Sequence, residues 1–336
     1  MLNDTREWNI ETQLSAPDEM QLNSSAVHIS NLQAAVRNFC QRTELSYGSE
    51  RARQNGAIAA LHNLMLSIEE ADAGGIDRAI TKAILAEAVA IQNGSPFFHR
   101  VCSWPRGYAG DFETVEYICD SINRAPSGTF AHACEQYFLS SAPACQHRNK
   151  IEHQARLLVA TSSRLENARI LVLGCGGGRD LLLARDSLRR GKSTVVVNDI
   201  DQAALALCAS RLDCLGERLV PIRGNALEQM RTFEEKGPFD LILCGGLMDY
   251  IPGGLMKRSL RTLYKRLLAP AGTLFITNIA TGNPHRPWME CCANWTLIER
   301  SEEDIRSFLV AAGAPEDNVA ISRDATGLAL LAEVHK

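Results

Sequence analysis

Apolar residues follow two different periods along the chain. Up to about residue 165 they recur every three or four positions, and the segments 27 to 42, 52 to 71 and 76 to 92 read as amphipathic helices stopped by Gly74-Gly75 and Asn93-Gly94. Further helices are expected near 111 to 121, 129 to 140 and 146 to 162, separated by Ala125-Pro126-Ser127-Gly128 and by Ala142-Pro143. Beyond residue 165 the apolar positions become short continuous runs: Ile170 to Leu173, Val195 to Val197, Leu219 to Ile222, Phe239 to Cys244 and Gly272 to Asn278. Each has the length of a buried strand, and helix-like stretches separate them. That alternation predicts a parallel α/β sheet with right-handed crossovers. The first 25 residues are polar and are expected to be mobile.

Two of these runs end in residues that carry chemistry. Residues 170 to 180 read Ile-Leu-Val-Leu-Gly-Cys-Gly-Gly-Gly-Arg-Asp, a strand breaking into glycines and then a helix. Glycines at 174, 176 and 178 let the backbone turn sharply and approach a ligand closely. Asp199 lies 25 residues beyond Gly174, about one helix plus one strand, so it reaches the same sheet edge. A carboxylate there accepts hydrogen bonds from ribose hydroxyls, which makes the turn one wall of a nucleoside-binding crevice. Taken alone, the turn also fits an ordinary tight bend. The third run ends in Gly224-Asn225-Ala226 and the fourth in Gly245-Gly246, adding a side-chain amide and a second glycine-rich end.

This succession resembles the class I S-adenosylmethionine-dependent methyltransferases over residues about 165 to 334. The resemblance implies an α/β, Rossmann-like core under an N-terminal α-helical cap, with S-adenosyl-L-methionine as cofactor. Carried over by position, Gly174, Gly176 and Gly178 pack against its methionine part, Asp199 holds the ribose, and Asn225 and Ala226 face the adenine. Two departures stand out: Val172 replaces the usual acid before the first glycine, and Asn225 a frequent Asp. Asp180 is a candidate substitute for the missing acid, or an exposed residue of a first helical turn. A nicotinamide dinucleotide is the competing cofactor, but its fingerprint wants glycine at 179, where Arg179 stands. The motifs Arg106-Gly107-Tyr108-Ala109-Gly110-Asp111, Gly246-Leu247-Met248-Asp249-Tyr250, Asn278, Met289-Glu290, Trp295 and Arg300 are similar to a narrower group, described as 3-hydroxypalmitic acid methyl ester biosynthesis proteins. The expected organisation is a polar N-terminus over 1–25, a helical cap over 26–164, and a Rossmann-like domain over 165–336 with a lid inserted at 283–300.

Composition narrows the class. A chain of 336 residues, 46% hydrophobic, supports a sizeable core, and a net charge of -4 offers no basic field for nucleic acid. No apolar stretch approaches the roughly 20 residues of a membrane span, and the polar start is unlike a signal peptide. A cytoplasmic enzyme is therefore expected, with a small-molecule substrate, no nucleic-acid or membrane partner, and a homodimer as an option. Eleven cysteines, without any Cys-x-x-Cys pair, fit neither a zinc site nor a disulfide framework, and no metal is expected. Cys175 and Cys244 lie on the two glycine turns, as small residues tolerated in tight places or, for Cys244, as a cofactor contact.

A cofactor bound at a sheet edge leaves its reactive methyl facing outward, so something must cover the acceptor and exclude water. The segment 96 to 111 holds aromatics, cations and a carboxylate in what reads as an irregular loop. His99 and Tyr108 are candidate catalytic groups there, and Arg100, Arg106 and Asp111 candidate substrate ligands. Tyr108, with Arg148 on the helix before the core, is also a candidate cofactor contact. Across the crevice Asp249 and Tyr250 are candidate catalytic residues, with Asn278, Glu290, Trp288 and Trp295 as substrate ligands. The two tryptophans either pack under the insert or face the transferred methyl. These candidates are largely polar and of both charge signs, which suits a zwitterion, so S-methylation of free methionine is expected to lead. Carboxyl methylation of a 3-hydroxy fatty acid is the alternative, and a non-catalytic cofactor-binding regulator the alternative from another class.

Overall fold

A computed structural model describes residues 16–42 and 49–336. Seven helices come first: α1 (Ala16–Gln41), α2 (Glu50–Ala73), α3 (Arg78–Gln92), α4 (Pro96–Ser103), α5 (Phe112–Asp120), α6 (Phe130–Ser140) and α7 (Ala142–Arg164). Local chemistry starts most of them. Ser49, Asp77, Ser95, Asp111 and Thr129 each accept a hydrogen bond from a backbone N–H of the first turn, and Pro143 occupies the start of α7, where no N–H is needed. Of the stretch 1–25, the chain from Ala16 onward is helical, and residues 1–15 lie outside the described residues. One expectation needs correcting. The segment 96 to 111 is not all loop, because Ser95 and Pro96 open a helix that runs to Ser103.

The rest alternates: β1 (Arg169–Leu173), α8 (Arg179–Leu183), α9 (Arg185–Arg190), β2 (Thr194–Asp199), α10 (Gln202–Arg211), β3 (Leu219–Arg223), α11 (Met230–Lys236), β4 (Phe239–Cys244), α12 (Gly253–Thr262), β5 (Leu268–Ile279), α13 (Arg286–Cys291), α14 (Glu302–Ala312), β6 (Val319–Arg323) and β7 (Ala329–His335). The strands form one seven-stranded sheet of order β3-β2-β1-β4-β5-β7-β6. The first five are parallel, as the apolar runs predict, but β7 is antiparallel to both β5 and β6. The sheet is therefore mixed. A tight turn at 324–328, closed by Asp324 accepting from Ala329 N at 3.0 Å, can only join antiparallel strands.

Both faces of the sheet are covered, which is why its strands are continuous apolar runs rather than alternating ones. On β1, Leu171 and Leu173 pack on one side with Ile242, Leu274 and Leu330, while Ile170 and Val172 pack on the other with Leu241, Leu243 and Leu158 of α7. A third apolar cluster belongs to the helices, around Leu32, Phe39, Leu64, Phe97, Phe98 and Phe138. The insert after β5 contributes to it: Trp288, Met289, Cys292 and Trp295 are buried in this cluster, with the Trp288 ring 5.4 Å from both Phe98 and Phe138. The expected lid is thus a piece of the helical core supplied by the Rossmann-like half. The two halves share a core through residues far apart in sequence.

Candidate active site

The glycine turn and Asp199 build the floor of the site together. Gly174, Gly176 and Gly178 all have positive φ, and Gly176 N donates to Asp199 Oδ2 at 2.8 Å. Asp201 N donates to the other oxygen, Oδ1, at 2.9 Å. Burial raises the Asp199 carboxyl above its usual range, opposed by these two N–H groups. Gly178 is fixed by contact as well as by φ, since a Cβ there would stand 2.7 Å from Cys208 Sγ on α10. Gly178 is therefore the start of α8 and a packing residue; the crevice is lined by Gly174 and Gly176 and not by Gly178.

The helical half closes over this floor through ion pairs. Arg106, in the loop after α4, pairs with Asp201, the N-cap of α10, and with Glu113 on α5. Arg100 on α4 reaches Asp111 at 2.6 Å and Glu113 at 2.7 Å. Glu116 on α5 takes Arg179 at 2.5 Å and Arg211 at 2.6 Å. Asp111, only 1% exposed, also caps α5 by accepting from Thr114 N at 2.9 Å. These residues hold the loop against α8 and α10. The expected role of Arg100, Arg106 and Asp111 as substrate ligands is corrected accordingly: each is a fastener whose charge is already matched.

Between floor and cap lies a crevice of about 860 Å³ at the C-terminal ends of β1, β2 and β4, where open α/β sheets bind ligands. Of the expected cofactor residues, Asp199, Asn225, Ala226 and Tyr108 line it with the two glycines. Burial, and then Asp199 and Asp201, hold the Tyr108 phenol above its ordinary range. Cys244 does not line it: the side chain is fully buried at the end of β4, and burial pushes its thiol up to about 12. Arg148 does not line it either, because its guanidinium donates to Ile118 O and Leu139 O, each at 2.9 Å, tying α5 and α6 to α7.

On the acceptor side Asp249, Tyr250 and Trp295 line the crevice. Asp249 is 3% exposed and engaged. Its Oδ1 accepts from Ile279 N at 2.6 Å, its Oδ2 lies 3.8 Å from Lys150 Nζ, and its carbonyl accepts from Ile298 N at 2.8 Å. Burial nevertheless raises this carboxyl above the usual range, against the pull of Lys150. Trp295 Nε1 donates to Tyr250 Oη at 2.8 Å, and Gly110 sits against that pair, where any Cβ would collide with both. Four expected residues fall elsewhere. His99 is exposed on α4, and Trp288 is in the helical core. Glu290 pairs with Arg78 and Arg286. Asn278 donates to Ile279 O and Ile298 O at 2.8 Å each and accepts from the buried Arg300. Asn278 and Arg300 hold up the segment after β4 from below.

What the sequence reading missed comes mainly from α7. His147, Lys150 and Gln154 line the crevice from one helix face, at spacings of three and four, and Gln154 packs where any Cβ on Gly245 would clash. Only the fold shows that these polar residues face inward: Lys150 is 3% and Gln154 6% exposed. The His147 ring stacks on Trp295 with centroids 5.6 Å apart. Burial, then Lys150 and Arg148, push its imidazole well below the usual histidine range. Asp180 also lines the crevice, and burial pushes its carboxyl up to about 6. Among the described residues, Asp180 has no cationic side chain within ion-pair distance.

Residues 170–272 match a family model described as a methyltransferase domain. Among curated proteins the chain is similar to the ubiquinone biosynthesis O-methyltransferase of Xanthomonas campestris pv. campestris strain B100, 32% identical over 122 residues, or 36% of this chain and 47% of that protein. It is also similar to the protein of that name from Xylella fastidiosa, 33% identical over 116 residues, or 34% and 43%. The chain spans about half the length of the curated relatives it matches. Among solved structures it resembles a possible exported protein of Bordetella parapertussis, at 16% identity and a TM-score of 0.53, over 98% of this chain and 99% of that one. That likeness is one of fold, and it includes the helical half.

The crevice suits the nucleoside cofactor of that family. Asp199 keeps lone pairs for ribose hydroxyls beside its two N–H bonds, and the positive-φ turn brings bare backbone to the ligand. Two buried polar atoms of lining residues, Asn198 Oδ1 and Trp104 Nε1, have no hydrogen-bond partner and are available to one. Asp199→Ala is expected to weaken S-adenosylmethionine binding by about 1.5–3 kcal/mol, the range for a hydrogen bond to a charged group. Calorimetry on a folded variant with unchanged affinity would take Asp199 out of the site. By its sheet order, its glycine turn with Asp199, and the matched family model, the Rossmann-like half of this chain is a class I S-adenosylmethionine-dependent methyltransferase domain.

Proposed function

We propose that the protein transfers the methyl group of S-adenosylmethionine to an oxygen atom of a small, mostly apolar acceptor. The state of the charges around the crevice carries this reading. Methylation of the methionine thioether, which the sequence favours, needs a free carboxylate to hold the acceptor's ammonium. Asp249 is matched by Lys150, Asp111 by Arg100, and Glu290 by Arg78 and Arg286. Open toward the acceptor instead are the imidazole of His147 and the hydroxyls of Tyr108 and Tyr250, in a wall that includes Trp104, Ile151, Leu247 and Leu297. Hydrogen-bonding groups on an apolar wall suit an oxygen carried on an apolar body. Similarity to curated O-methyltransferases supports oxygen as the accepting atom.

Bound in the crevice, S-adenosylmethionine supplies an electrophilic methyl group on a sulfonium. The residues of this chain supply alignment and dryness, which account for most of the acceleration in an in-line displacement. Asp199 and the glycine turn fix the nucleoside. The Arg106–Asp201 and Glu116–Arg179–Arg211 pairs keep the cap loop closed over it. The Tyr250–Trp295 pair and His147 form the opposite wall.

Asp180 takes the place of the acid missing at Val172 and faces the cofactor's ammonium. An acid raised to about 6 is protonated below that pH, so cofactor affinity is expected to fall as pH drops through about 6. Asp180→Asn should weaken binding at pH 7 and flatten that dependence; a variant with an unchanged binding profile assigns the ammonium elsewhere.

S-adenosylhomocysteine release from a panel of phenols, 3-hydroxy fatty acids and free amino acids tests the function. Turnover with oxygen acceptors is expected. Turnover with methionine alone would restore the thioether reading, and none with any acceptor would favour a cofactor-binding regulator. The fatty-acid reading keeps one specific observation in its favour: Ile151, Leu247 and Leu297 line the crevice and offer an apolar surface for the chain.

A further inference from the structure

His147 is the one imidazole lining the crevice among the described residues, and it is half-buried there. Neither ring nitrogen has a hydrogen-bond partner among the described residues, while the ring itself is immobilised by stacking on Trp295 at 26° between planes. Trp295 is in turn locked by its bond to Tyr250, and the pair is covered by Gly110 of the cap loop. The α7 backbone therefore presents an oriented, unspent imidazole to the same space that Lys150 and Tyr250 face. The wall on this side is rich in flat rings, those of Trp104, Tyr108, Tyr250 and Trp295, which suits a planar acceptor.

We propose that His147 is the general base of the reaction and that the acceptor is a phenol, whose hydroxyl proton it removes as the methyl group is transferred. This rests on the reading of the protein as an oxygen methyltransferase. The acceptor O–H bond breaks and its proton passes to the free imidazole nitrogen. The oxygen electron pair forms the new O–CH3 bond. The S–CH3 bond breaks with its electrons left on sulfur, turning the sulfonium into a neutral thioether, and the imidazolium returns its proton to solvent. A carboxylic acid would not need the base, because it is already ionised at neutral pH.

The charged and titratable groups around the ring set its protonation state. Burial, then Lys150 and Arg148 on α7, disfavour the imidazolium, which keeps the ring neutral and also makes it a weaker proton acceptor. From the facing segments come Asp249 and Tyr250 after β4, and Tyr108 and Asp111 from the cap loop. None of the carboxylates is within ion-pair distance of His147, and Asp249 and Asp111 are spent on Lys150 and Arg100. The working, neutral form is thus the one populated at neutral pH.

The test is a rate series over 4-substituted phenols from 4-methylphenol to 4-nitrophenol at pH 8, with the full chain as wild type, His147→Ala and His147→Asn. A missing base costs most where the acceptor is least acidic. Both variants are expected to lose about 100- to 1,000-fold in kcat with 4-methylphenol and less than about tenfold with 4-nitrophenol, which is largely ionised on its own. Calorimetric affinity for S-adenosylmethionine should be unchanged, and added imidazole should restore part of the rate of His147→Ala. A loss that is the same across the series, or one that tracks lost cofactor affinity, makes His147 a packing residue and overturns the proposal. Wild-type turnover of carboxylic acids but no phenol overturns the base while leaving oxygen methylation standing. No turnover of any oxygen acceptor removes both.

Discussion

Asp249→Ala should cost about 3–5 kcal/mol of folding stability, because it leaves the Lys150 ammonium, 3% exposed, without its partner in a dry site. The same change strips Ile279 N of its acceptor at the end of β5. Removing one member of a buried pair is expensive because the remaining charge cannot recover its hydration; removing both is cheaper. The double change Asp249→Ala with Lys150→Met should therefore lose less than the sum of the single losses. Asp249→Asn keeps an oxygen for Ile279 N but not the charge, and belongs between wild type and Asp249→Ala. Denaturant unfolding of the four variants measures all of this. If Asp249 instead holds an acceptor's ammonium, Asp249→Asn would leave stability intact while kcat/KM for methionine collapses. A loss below about 1 kcal/mol in Asp249→Ala would show that Lys150 has water to replace its partner.

A chain beginning at residue 160 should fail to fold to a cofactor-binding state. The sheet has covering helices of its own, but the insert between β5 and α14 buries Trp288, Met289, Cys292 and Trp295 among Phe98, Phe138 and their neighbours in the helical half. Each tryptophan buries roughly 150–250 Å², worth on the order of 4–6 kcal/mol at about 25 cal/mol per Å². Losing that burial for two of them approaches the whole stability of an ordinary domain, about 5–15 kcal/mol. Truncation also removes the His147–Lys150–Gln154 face of the crevice and the anchors of α5 on α8 and α10. Soluble expression with calorimetry against S-adenosylmethionine checks it. A truncated chain that binds the cofactor normally would make the helical half a dispensable cover.

These two expectations differ in how far the sequence could have led to them. The floor of the site was legible because it is local. A run of four apolar residues, glycines at 174, 176 and 178, and a carboxylate one helix and one strand later are properties of about thirty consecutive residues, and positive φ and sheet-edge position follow from them directly. The helices from Glu50 to Arg164 were legible for the same reason, since periodicity and capping residues act within a few turns. Helix α4 escaped because Pro105, Gly107 and Gly110 close behind it read as loop, although Ser95 and Pro96 are a start signal in their own right.

Which charges are free for chemistry could not be read that way. Arg106, Asp111, Asp249 and Glu290 look like ligands as isolated letters, and only the fold shows that Asp201, Arg100, Lys150 and Arg78 have already claimed them from as far as 212 positions away. Pairing over such separations is decided by how the cap docks on the sheet, a sum of many weak packing contacts that no local pattern encodes. The same docking turns an expected lid into core and carries Trp288 away from the site. It also brings one face of α7, where a histidine and a lysine would pass for a solvated stripe, to the mouth of the crevice. The sequence by itself determined the cofactor floor, because backbone conformation and strand order are set by neighbours along the chain. Only the tertiary structure decided the acceptor side, because burial and ion pairing depend on which distant surfaces meet.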